Sequence, residues 1–357
     1  MENLLRCENN VRKGFTKDFQ SQMKYFNEGK LYTVEIGLTS FCDGGCNYCY
    51  AESTPENVKQ LSDEKIFEII DDLVELDVKQ VNWGGGEPLA RDNWYEIMSY
   101  SKYKGLTNLL MTNGAYMKEI EDAKKVNEIV DLAHIHIDTL DKEIHYKTHE
   151  CSDGYLENQI NGLENLMGTN FGAENIALAI TVTDPIIRDK DYVKTIDWAY
   201  DEKNISVILY PYRAFGLAKE SENLSPKFER MWDVYKYRNS KDSVESGPGF
   251  GTKFYCGTKC VINYHGDVLG CSMVYSTYAG NVNKQSFKKI FSENKEKLLY
   301  EKLHSPETIS GHCSKCEKNN FCWGCRAASE LIEGDYCKSD PICWMSKEDN
   351  ILINTSP

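Results

Sequence analysis

Eleven of the fourteen cysteines fall into three spaced groups, and only Cys7, Cys151 and Cys337 stand apart. The first group has the spacing Cys-x3-Cys-x2-Cys and consists of Cys42, Cys46 and Cys49. Three thiolates on one tight loop can hold three irons of a cubane cluster and leave the fourth iron open to an outside ligand. Zinc usually takes four protein ligands, and a ferredoxin-like carrier closes its cluster with a fourth cysteine. Both remain alternatives for this loop.

A glycine-rich stretch, Trp83-Gly84-Gly85-Gly86-Glu87-Pro88, follows the next strand-like segment. Glycines there allow backbone carbonyls to approach a ligand closely. A phosphate-binding loop would contain Gly-x-Gly-x-x-Gly or end in Lys-Ser/Thr, and this stretch has neither pattern. The alternative is a glycine-rich turn without a chemical role.

The other two cysteine groups lie in the C-terminal third. The second group is Cys256-x3-Cys260, followed by Gly266-x4-Cys271. The third is Cys313-x2-Cys316-x5-Cys322-x2-Cys325 together with the later Cys343, and Cys337 lies between Cys325 and Cys343. Because two Cys-x2-Cys pairs also suit tetrahedral zinc, a zinc ribbon is the alternative for the third group.

The first cysteine loop and the Gly-Gly-Glu run together resemble the radical S-adenosylmethionine (SAM) enzymes. In that family the open iron binds the amino and carboxylate groups of SAM. One electron then splits the sulfonium, and the 5′-deoxyadenosyl radical abstracts hydrogen from a substrate. The resemblance implies that the first cluster is held by Cys42, Cys46 and Cys49. It implies SAM contacts from Tyr48, Gly85, Gly86, Glu87, Thr112, Asn113, Asp138 and Lys147.

Three features after the fourth strand depart from the family pattern or leave alternatives open. Thr139 follows Asp138 where the family usually has glycine. Lys147 falls near a position where many relatives keep Arg or Lys for the SAM carboxylate, although a solvated surface lysine is the alternative. Cys151 is a candidate hydrogen donor to a substrate radical, with an inert thiol as the alternative.

The C-terminal cysteines resemble the SPASM extension of radical SAM enzymes, which implies two auxiliary 4Fe–4S clusters and three clusters in total. By order in the chain, the ligands of the first auxiliary cluster would be Cys256, Cys260, Cys271 and Cys325. Those of the second would be Cys313, Cys316, Cys322 and Cys343, with Cys337 as the alternative to Cys343.

Alternating strand-like and helix-like segments must position these residues. The predicted strands are residues 32–39, 79–83, 107–112, 132–138, 176–182 and 206–210, and the predicted helices are 62–76, 118–129, 157–167 and 191–202. This alternation favours a parallel sheet covered by helices, and the candidate SAM residues follow strand ends, where parallel α/β folds bind ligands.

Six units are too few for a closed eight-stranded barrel, so the pattern alone suits an open barrel or a doubly wound sheet. With the resemblance, the expected fold is α/β: a partial (β/α)6 TIM-like barrel followed by a small cysteine-rich iron–sulfur domain. We expect a lead-in at 1–31, the barrel at 32–240, the SPASM domain at 241–345 and a tail at 346–357.

Composition excludes several classes of function. Lys and Arg total 41 against 55 Asp and Glu, a net charge of −14, which disfavours nucleic-acid binding. The sequence lacks an apolar run long enough for a membrane helix and lacks a signal peptide. We therefore expect a cytoplasmic protein with reduced thiols, working anaerobically.

The family resemblance implies a substrate class only broadly. SPASM-bearing relatives mostly modify peptides or proteins, so we predict a peptide or protein substrate and reduced ferredoxin or flavodoxin as electron donor. A small molecule, either a tetrapyrrole or a sugar, is the alternative substrate. A non-catalytic iron–sulfur or zinc protein for electron transfer or docking is the alternative from another class.

Overall fold

The computed structural model describes residues 18–56, 58–242 and 252–343. Its strands are β1 Thr33–Thr39, β2 Gln80–Gly85, β3 Thr107–Thr112, β4 Leu132–His136, β5 Ile176–Val182, β6 Ser206–Pro211, β7 Lys259–Ile262, β8 Asp267–Leu269 and β9 Gly280–Asn281. Its longer helices are α1 Phe19–Asn27, α2 Asp63–Glu75, α3 Trp94–Tyr103, α4 Ile120–Ile129, α5 Lys142–Thr148, α6 Tyr155–Met167, α7 Asp184–Arg188, α8 Asp191–Asp197 and α9 Phe228–Asp242. The C-terminal part adds α10 Lys253–Cys256, α11 Phe287–Leu298, α12 His312–Lys315 and α13 Arg326–Glu333.

The nine strands form one sheet in the order β6-β5-β4-β3-β2-β1-β7-β8-β9. The first six pair in parallel in sequence order, which confirms the predicted α/β fold with a parallel sheet. The predicted strand 132–138 is shorter than expected and ends at His136. The predicted helix 191–202 divides into α8 and a single π-helical turn, Trp198–Glu202.

Helix α2 shows how the sequence produces these elements. The Ser62 hydroxyl accepts a hydrogen bond from the Lys65 N–H and caps the helix start. Ile66, Ile69, Ile70 and Leu73 recur at helical spacing and are fully buried in one core. The same core contains Val34, Ile36 and Leu38 of β1. The even-numbered residues of β1 therefore face the helices.

The opposite face of the sheet is more polar, because side chains alternate along a strand. At β1, β2, β4 and β5 it is lined by Glu35, Gly37, Asn82, Gly84, His134, His136, Ala177, Ala179 and Thr181. At β3 it carries the larger apolar side chains of Leu109 and Met111, and the Met111 methyl group packs over Gly84. The sequence thus builds a mixed, largely polar face opposite the apolar core.

The cysteine-rich segment is not separate from this sheet. Strand β7 pairs in parallel with β1, and β8 and β9 continue the sheet in antiparallel pairs. The segment also has an apolar cluster of its own, in which Phe26 of α1 packs with Phe254, Tyr300 and Trp323. Aromatic packing therefore contributes to holding this segment together.

Residues 243–251, between the end of α9 and the start of α10, lie outside the described residues. Within the described parts of the chain, every helix is too short or too polar to cross a lipid bilayer.

Candidate active site

The Cys42, Cys46 and Cys49 thiols lie in one loop after β1. Burial raises the pKa of Cys42 to about 12, and the neighbouring Glu87 carboxylate and Cys49 sulfur add to this rise. Burial also raises the pKa of Cys46, with Cys49 and Cys42 raising it further. The Cys42 and Cys46 thiols therefore resist ionisation on their own, whereas a bound metal deprotonates such thiols outright. The donor set therefore fits an iron–sulfur group.

Glycine is required at Gly45 of this loop. Its backbone adopts a φ of +58°, and a Cβ built there would overlap the Glu150 carbonyl. The Glu150 N–H donates to the Gly45 carbonyl at 2.7 Å, and Cys46 forms an isolated β-bridge with His149. The loop is thus fastened by backbone contacts to the segment after α5.

The end of β2 packs equally closely against the loop. A Cβ on Gly86 would overlap the Phe41 carbonyl, and the Glu87 N–H donates to that carbonyl at 2.7 Å. Gly85 has a φ of +107° and packs against the Thr39 carbonyl. Only glycines permit this approach. The predicted Gly-Gly-Glu run therefore borders the cysteine loop directly.

The Glu87 side chain joins the ends of β2 and β3. Its Oε1 accepts from the Thr112 hydroxyl at 2.7 Å and from the Leu89 N–H at 3.0 Å, and its Oε2 accepts from the Asn113 N–H at 2.8 Å. Burial raises the pKa of Glu87 to about 7, although these donors oppose the rise. The structure thus brings together Glu87, Thr112 and Asn113, all three predicted as SAM contacts.

One polar atom at this strand end is buried without a hydrogen bond to any described residue: Nδ2 of Asn113. Its Oδ1 accepts from the Ala115 N–H at 2.9 Å, which fixes the amide orientation. A Cβ built on Gly44 would lie 3.8 Å from this nitrogen, so the amide borders the cysteine loop. A buried donor in this position fits a ligand that supplies an acceptor.

A second polar group surrounds the Tyr48 hydroxyl. It donates to the Asp138 carboxylate and lies 3.1 Å from Nε2 of His149 and 3.4 Å from Nε2 of His136. Asp138 also accepts from the Thr181 N–H at 2.6 Å. The predicted residues Tyr48 and Asp138 are therefore in direct contact at the ends of β4 and β5.

The pKa values of His136 and His149 shift in opposite directions beside Asp138. Burial lowers the pKa of His136, but the Asp138 carboxylate 3.0 Å away more than offsets this, so the pKa of His136 is raised. Burial lowers the pKa of His149 to about 3, so its imidazole is neutral. One ligand atom each from Cys46, His136 and His149 lie within 4.8 Å of one another, an arrangement that a single metal ion could also use.

Asp43 connects the cysteine loop to two other elements. It accepts hydrogen bonds from the Tyr155 hydroxyl at 2.9 Å and from the Tyr116 hydroxyl at 3.2 Å. Tyr155 begins α6, and Tyr116 lies in the loop after β3. The loop is therefore held from several sides.

Lys147 does not join the other predicted SAM residues. Its side chain is exposed on α5, whereas His145 and His149 from the same segment are buried. Their rings stack with centroids 4.2 Å apart. The Cys151 sulfur is half-buried and lies 3.9 Å from Nδ1 of His145, so it is near this group.

The sequence analysis missed His136, His149, Asp43, Tyr116 and Tyr155. His136 had a usable signal, since it lies two residues before Asp138 and alternation places both on one face. The other four converge from separate loops and helices, and spacing along the chain does not reveal such contacts.

Three of the four cysteines predicted for the first auxiliary cluster lie together. Burial raises the pKa of Cys256 to about 12, and the nearby Cys271 and Cys325 sulfurs contribute to it. All three pack in the cluster that contains Tyr300 and Trp323. This grouping fits an iron–sulfur group held by these three residues.

Cys260, the fourth predicted ligand, lies elsewhere, and its assignment needs correction. It pairs with Val34 across β7 and β1, is fully buried, and packs in the main core with Val34 and Ile262. Burial raises its pKa, and the described groups acting on it, Lys259 and Glu35, include no cysteine. Strand alternation is the cause, because Cys260 faces the helices while Lys259 faces the polar side.

Sulfurs of the third cysteine group accept hydrogen bonds from backbone N–H groups, a feature that tunes the reduction potential of iron–sulfur clusters. Sulfurs of Cys313, Cys316 and Cys322 accept from N–H groups at 3.4, 3.4 and 3.1 Å. Cys343 is buried, whereas Cys337 is only partly buried. Burial is the main cause of the raised pKa of Cys337, and the Asp335 carboxylate adds to the rise. Burial raises the pKa of Cys322 to about 11, with Cys313 adding to it.

Two family models match the chain. The radical SAM superfamily model matches residues 36–199, and the iron–sulfur cluster-binding domain model (SPASM) matches residues 254–326. Together they span both cysteine-bearing parts of the chain.

Individual proteins align over most of the chain. The AdoMet-dependent heme synthase of Methanosarcina barkeri is 26% identical, with 86% of this chain and 94% of that protein covered. The mycofactocin maturase MftC of Mycolicibacterium smegmatis is 25% identical, with 86% and 81% covered. The crystal structure of Streptococcus suis SuiB bound to precursor peptide SuiA superimposes with a TM-score of 0.63 at 14% identity, covering 91% of this chain and 79% of that one. The last similarity concerns the fold.

Proposed function

We propose that this chain, which belongs to the radical SAM superfamily and carries a C-terminal SPASM domain, cleaves SAM reductively to modify a peptide or protein. The observation that carries the proposal is the convergence of the cysteine loop, the Gly85–Glu87 backbone, Asn113 and Asp138 on one edge of the sheet. When bound, the first iron–sulfur cluster supplies the electron that splits SAM into methionine and a 5′-deoxyadenosyl radical.

The residues of this edge have separate tasks in holding SAM. The carbonyls of Gly85 and Gly86 border the cysteine loop, where they can accept from the amino group. Asn113 Nδ2 is the buried donor for an acceptor on the nucleoside. Asp138 holds Tyr48, His136 and the Thr181 backbone together at the ends of β4 and β5, and so positions the polar groups that border the SAM site. The Glu87 carboxylate positions Asn113 by accepting a hydrogen bond from its backbone N–H.

We place two auxiliary clusters in the C-terminal part, one at Cys256, Cys271 and Cys325, and one at the third cysteine group. Their role is to carry electrons to or from the substrate site. Reduced ferredoxin or flavodoxin is the donor we expect. Thiolate clusters of this kind need a reducing compartment, so we place the protein in the cytoplasm under anaerobic conditions.

A peptide or protein substrate is supported by two resemblances. The fold matches that of SuiB, whose structure holds a precursor peptide, and a maturase of the mycofactocin type is among the relatives.

A tetrapyrrole is the second candidate substrate, because a heme synthase aligns over 94% of its own length. Titration with Fe-coproporphyrin III separates the two candidates. A shift of the porphyrin absorption band on binding, with SAM-dependent loss of the compound, favours the tetrapyrrole. Absence of both favours the peptide.

The reaction itself is tested on anaerobically reconstituted protein. We expect about twelve irons per chain if three four-iron clusters form, and 5′-deoxyadenosine from SAM after reduction. Cys46→Ala abolishes that product, whereas Cys316→Ala, which touches only an auxiliary site, largely retains it. Zinc without sulfide, or fully iron-loaded protein that leaves SAM intact, would contradict the proposal.

A further inference from the structure

Arg213 follows β6 and carries a guanidinium whose donors are only partly used. Its Nη1 donates to the Tyr212 carbonyl at 3.0 Å. Its Nε and Nη2 are buried, and neither makes a hydrogen bond to a described residue. These two nitrogens form one edge of the planar guanidinium, the edge that can donate to two acceptor atoms at once. Because an unpaired buried charge is costly, this open edge calls for a negatively charged partner.

The loop after β6 packs against the cysteine-rich part of the chain. Phe215 in this loop stacks on Tyr275, with ring centroids 5.7 Å apart. The backbone N–H of the next residue, Ser276, donates to the Glu330 carboxylate at 3.1 Å. Glu330 belongs to α13, whose N-terminal cap is Cys325. The loop after β6 is thus fastened to the helix that follows Cys325.

The Cys325 sulfur is the partner that the structure offers to Arg213. Burial lowers the pKa of Arg213, but the nearby Cys325 sulfur and Asp340 carboxylate more than offset this, so its pKa is raised. Asp340 is already engaged, since its Oδ2 accepts from the Cys325 N–H at 2.7 Å and its Oδ1 from the Ile342 N–H at 3.0 Å. Arg326, the neighbour of Cys325, directs both terminal nitrogens to backbone carbonyls. The open edge of Arg213 is therefore left for sulfur.

An iron–sulfur group at Cys325 supplies the negative charge that this edge lacks. The reduction potential of such a group depends on its net charge and on the hydrogen bonds to its sulfurs. A cation beside the group stabilises the reduced state, which is the more negative one, more than the oxidised state. The N-terminal end of α13 acts in the same direction, because its backbone N–H groups carry partial positive charge.

We propose that Arg213 is the charge partner of the first auxiliary group: the edge formed by Nε and Nη2 donates to sulfur at Cys325 and makes this group easier to reduce. The arginine connects the end of β6, at the edge of the sheet that holds the SAM residues, with the auxiliary group. This group therefore accepts an electron more readily than it would beside a neutral residue. The inference rests on the auxiliary iron–sulfur groups of the proposed function.

Redox titration of protein without the first cluster tests the charge partner. Cys42→Ala/Cys46→Ala/Cys49→Ala retains the auxiliary groups, and electron paramagnetic resonance follows the reduction of each. Adding Arg213→Met should make the reduction of one group less favourable by about tenfold or more, a fall of about 59 mV or more in its potential. Arg213→Lys keeps the charge without the two-pronged edge, so its fall should be smaller. The other auxiliary group should keep its potential and serves as the internal control.

Unchanged potentials of both auxiliary groups in Arg213→Met with full auxiliary iron would overturn the proposal. Arg213→Gln is a second neutral variant with the same expected fall, and it decides the question where Arg213→Met does not retain its iron.

The hydrogen bond itself is tested with arginine that carries 15N in its guanidinium. We expect a 15N coupling in the double-resonance spectrum of the reduced auxiliary group, and its loss in Arg213→Lys. A spectrum without that coupling would overturn the assignment of Cys325 sulfur as the acceptor. Neither readout involves SAM, so failed SAM cleavage with these results intact would overturn the proposed function alone.

Discussion

The Glu87 carboxylate accepts a 2.8 Å hydrogen bond from the backbone N–H of Asn113, and this bond joins the ends of β2 and β3. The same carboxylate holds the Thr112 hydroxyl. Asn113 in turn directs a buried amide donor toward the cysteine loop. Glu87 therefore shapes the site in two ways: it lies beside the cysteine loop, and its carboxylate positions Thr112 and Asn113.

Glu87→Gln should weaken SAM binding. The glutamine amide presents hydrogens where one carboxylate oxygen accepts, so a donor on Asn113, Thr112 or Leu89 loses its partner, at a cost of about 1–3 kcal/mol. We expect the SAM dissociation constant, measured by anaerobic calorimetry, to rise about tenfold or more. Glu96→Gln on the exposed surface of α3 is the control. Equal affinity in both variants would show that the Glu87 hydrogen bonds do not shape the pocket.

Glu87 also predicts a pH dependence of stability in the metal-free protein. Burial raises its pKa from 4.5 to about 7, so the folded chain binds this proton more tightly than the unfolded chain. The resulting stability is fully present below pH 4.5 and is lost as the pH rises through about 7, an effect of about 3 kcal/mol. Urea unfolding of the parent and Glu87→Gln across this range measures it. If the free energies of unfolding of the parent and Glu87→Gln change with pH in the same way, the raised pKa of Glu87 is ruled out.

Alanine substitutions at Gly45 and Gly154 distinguish a steric clash in the cysteine loop from the strain of a left-handed backbone. Gly45→Ala introduces a Cβ that overlaps Glu150, whereas Gly154→Ala meets open space at a similar φ of +80°. We expect Gly154→Ala to cost about 1–2 kcal/mol and to keep its first-site iron. Gly45→Ala should lose the first cluster, seen as about four fewer irons. Full iron content in Gly45→Ala would refute the close fit described for this loop.

Lys147 and His149 give opposite expectations for SAM affinity. Lys147 is exposed, so Lys147→Ala should leave the SAM dissociation constant within about twofold of the parent, as expected for a surface change. His149 contacts the Tyr48 hydroxyl at 3.1 Å, and His149→Ala should weaken SAM about tenfold through loss of that support. Unfolding curves of both variants control for global destabilisation. A larger rise of the SAM dissociation constant in Lys147→Ala than in His149→Ala would show that Lys147 contacts SAM.

The sequence allowed the parallel sheet and the convergence of strand-end residues to be predicted because local signals dictate both. Ser62 as a cap and the Ile66–Leu73 stripe define α2 within two residues. Glu87, Thr112 and Asn113 then meet because the ends of parallel strands lie at one edge.

Contacts between distant segments could not be predicted in the same way. The direction of Cys260 depends on the register of β7 against β1, which no motif encodes. His149 reaches Tyr48 only because the loop after α5 bridges to Cys46. The exposure of Lys147 depends on which way the short helix α5 is rotated about its axis. The position of Lys147 along the chain, compared with the family pattern, does not determine that rotation.

The central claim is that the Cys42, Cys46 and Cys49 loop leaves one iron for SAM. The most direct test is pulsed double-resonance spectroscopy of reduced Cys271→Ala/Cys316→Ala protein, which retains the first cluster, with SAM carrying 15N in its amino group. The account predicts a 15N coupling to the cluster, which Cys46→Ala abolishes. A reduced first cluster whose spectrum is unchanged by saturating SAM, with no 15N coupling, would contradict it.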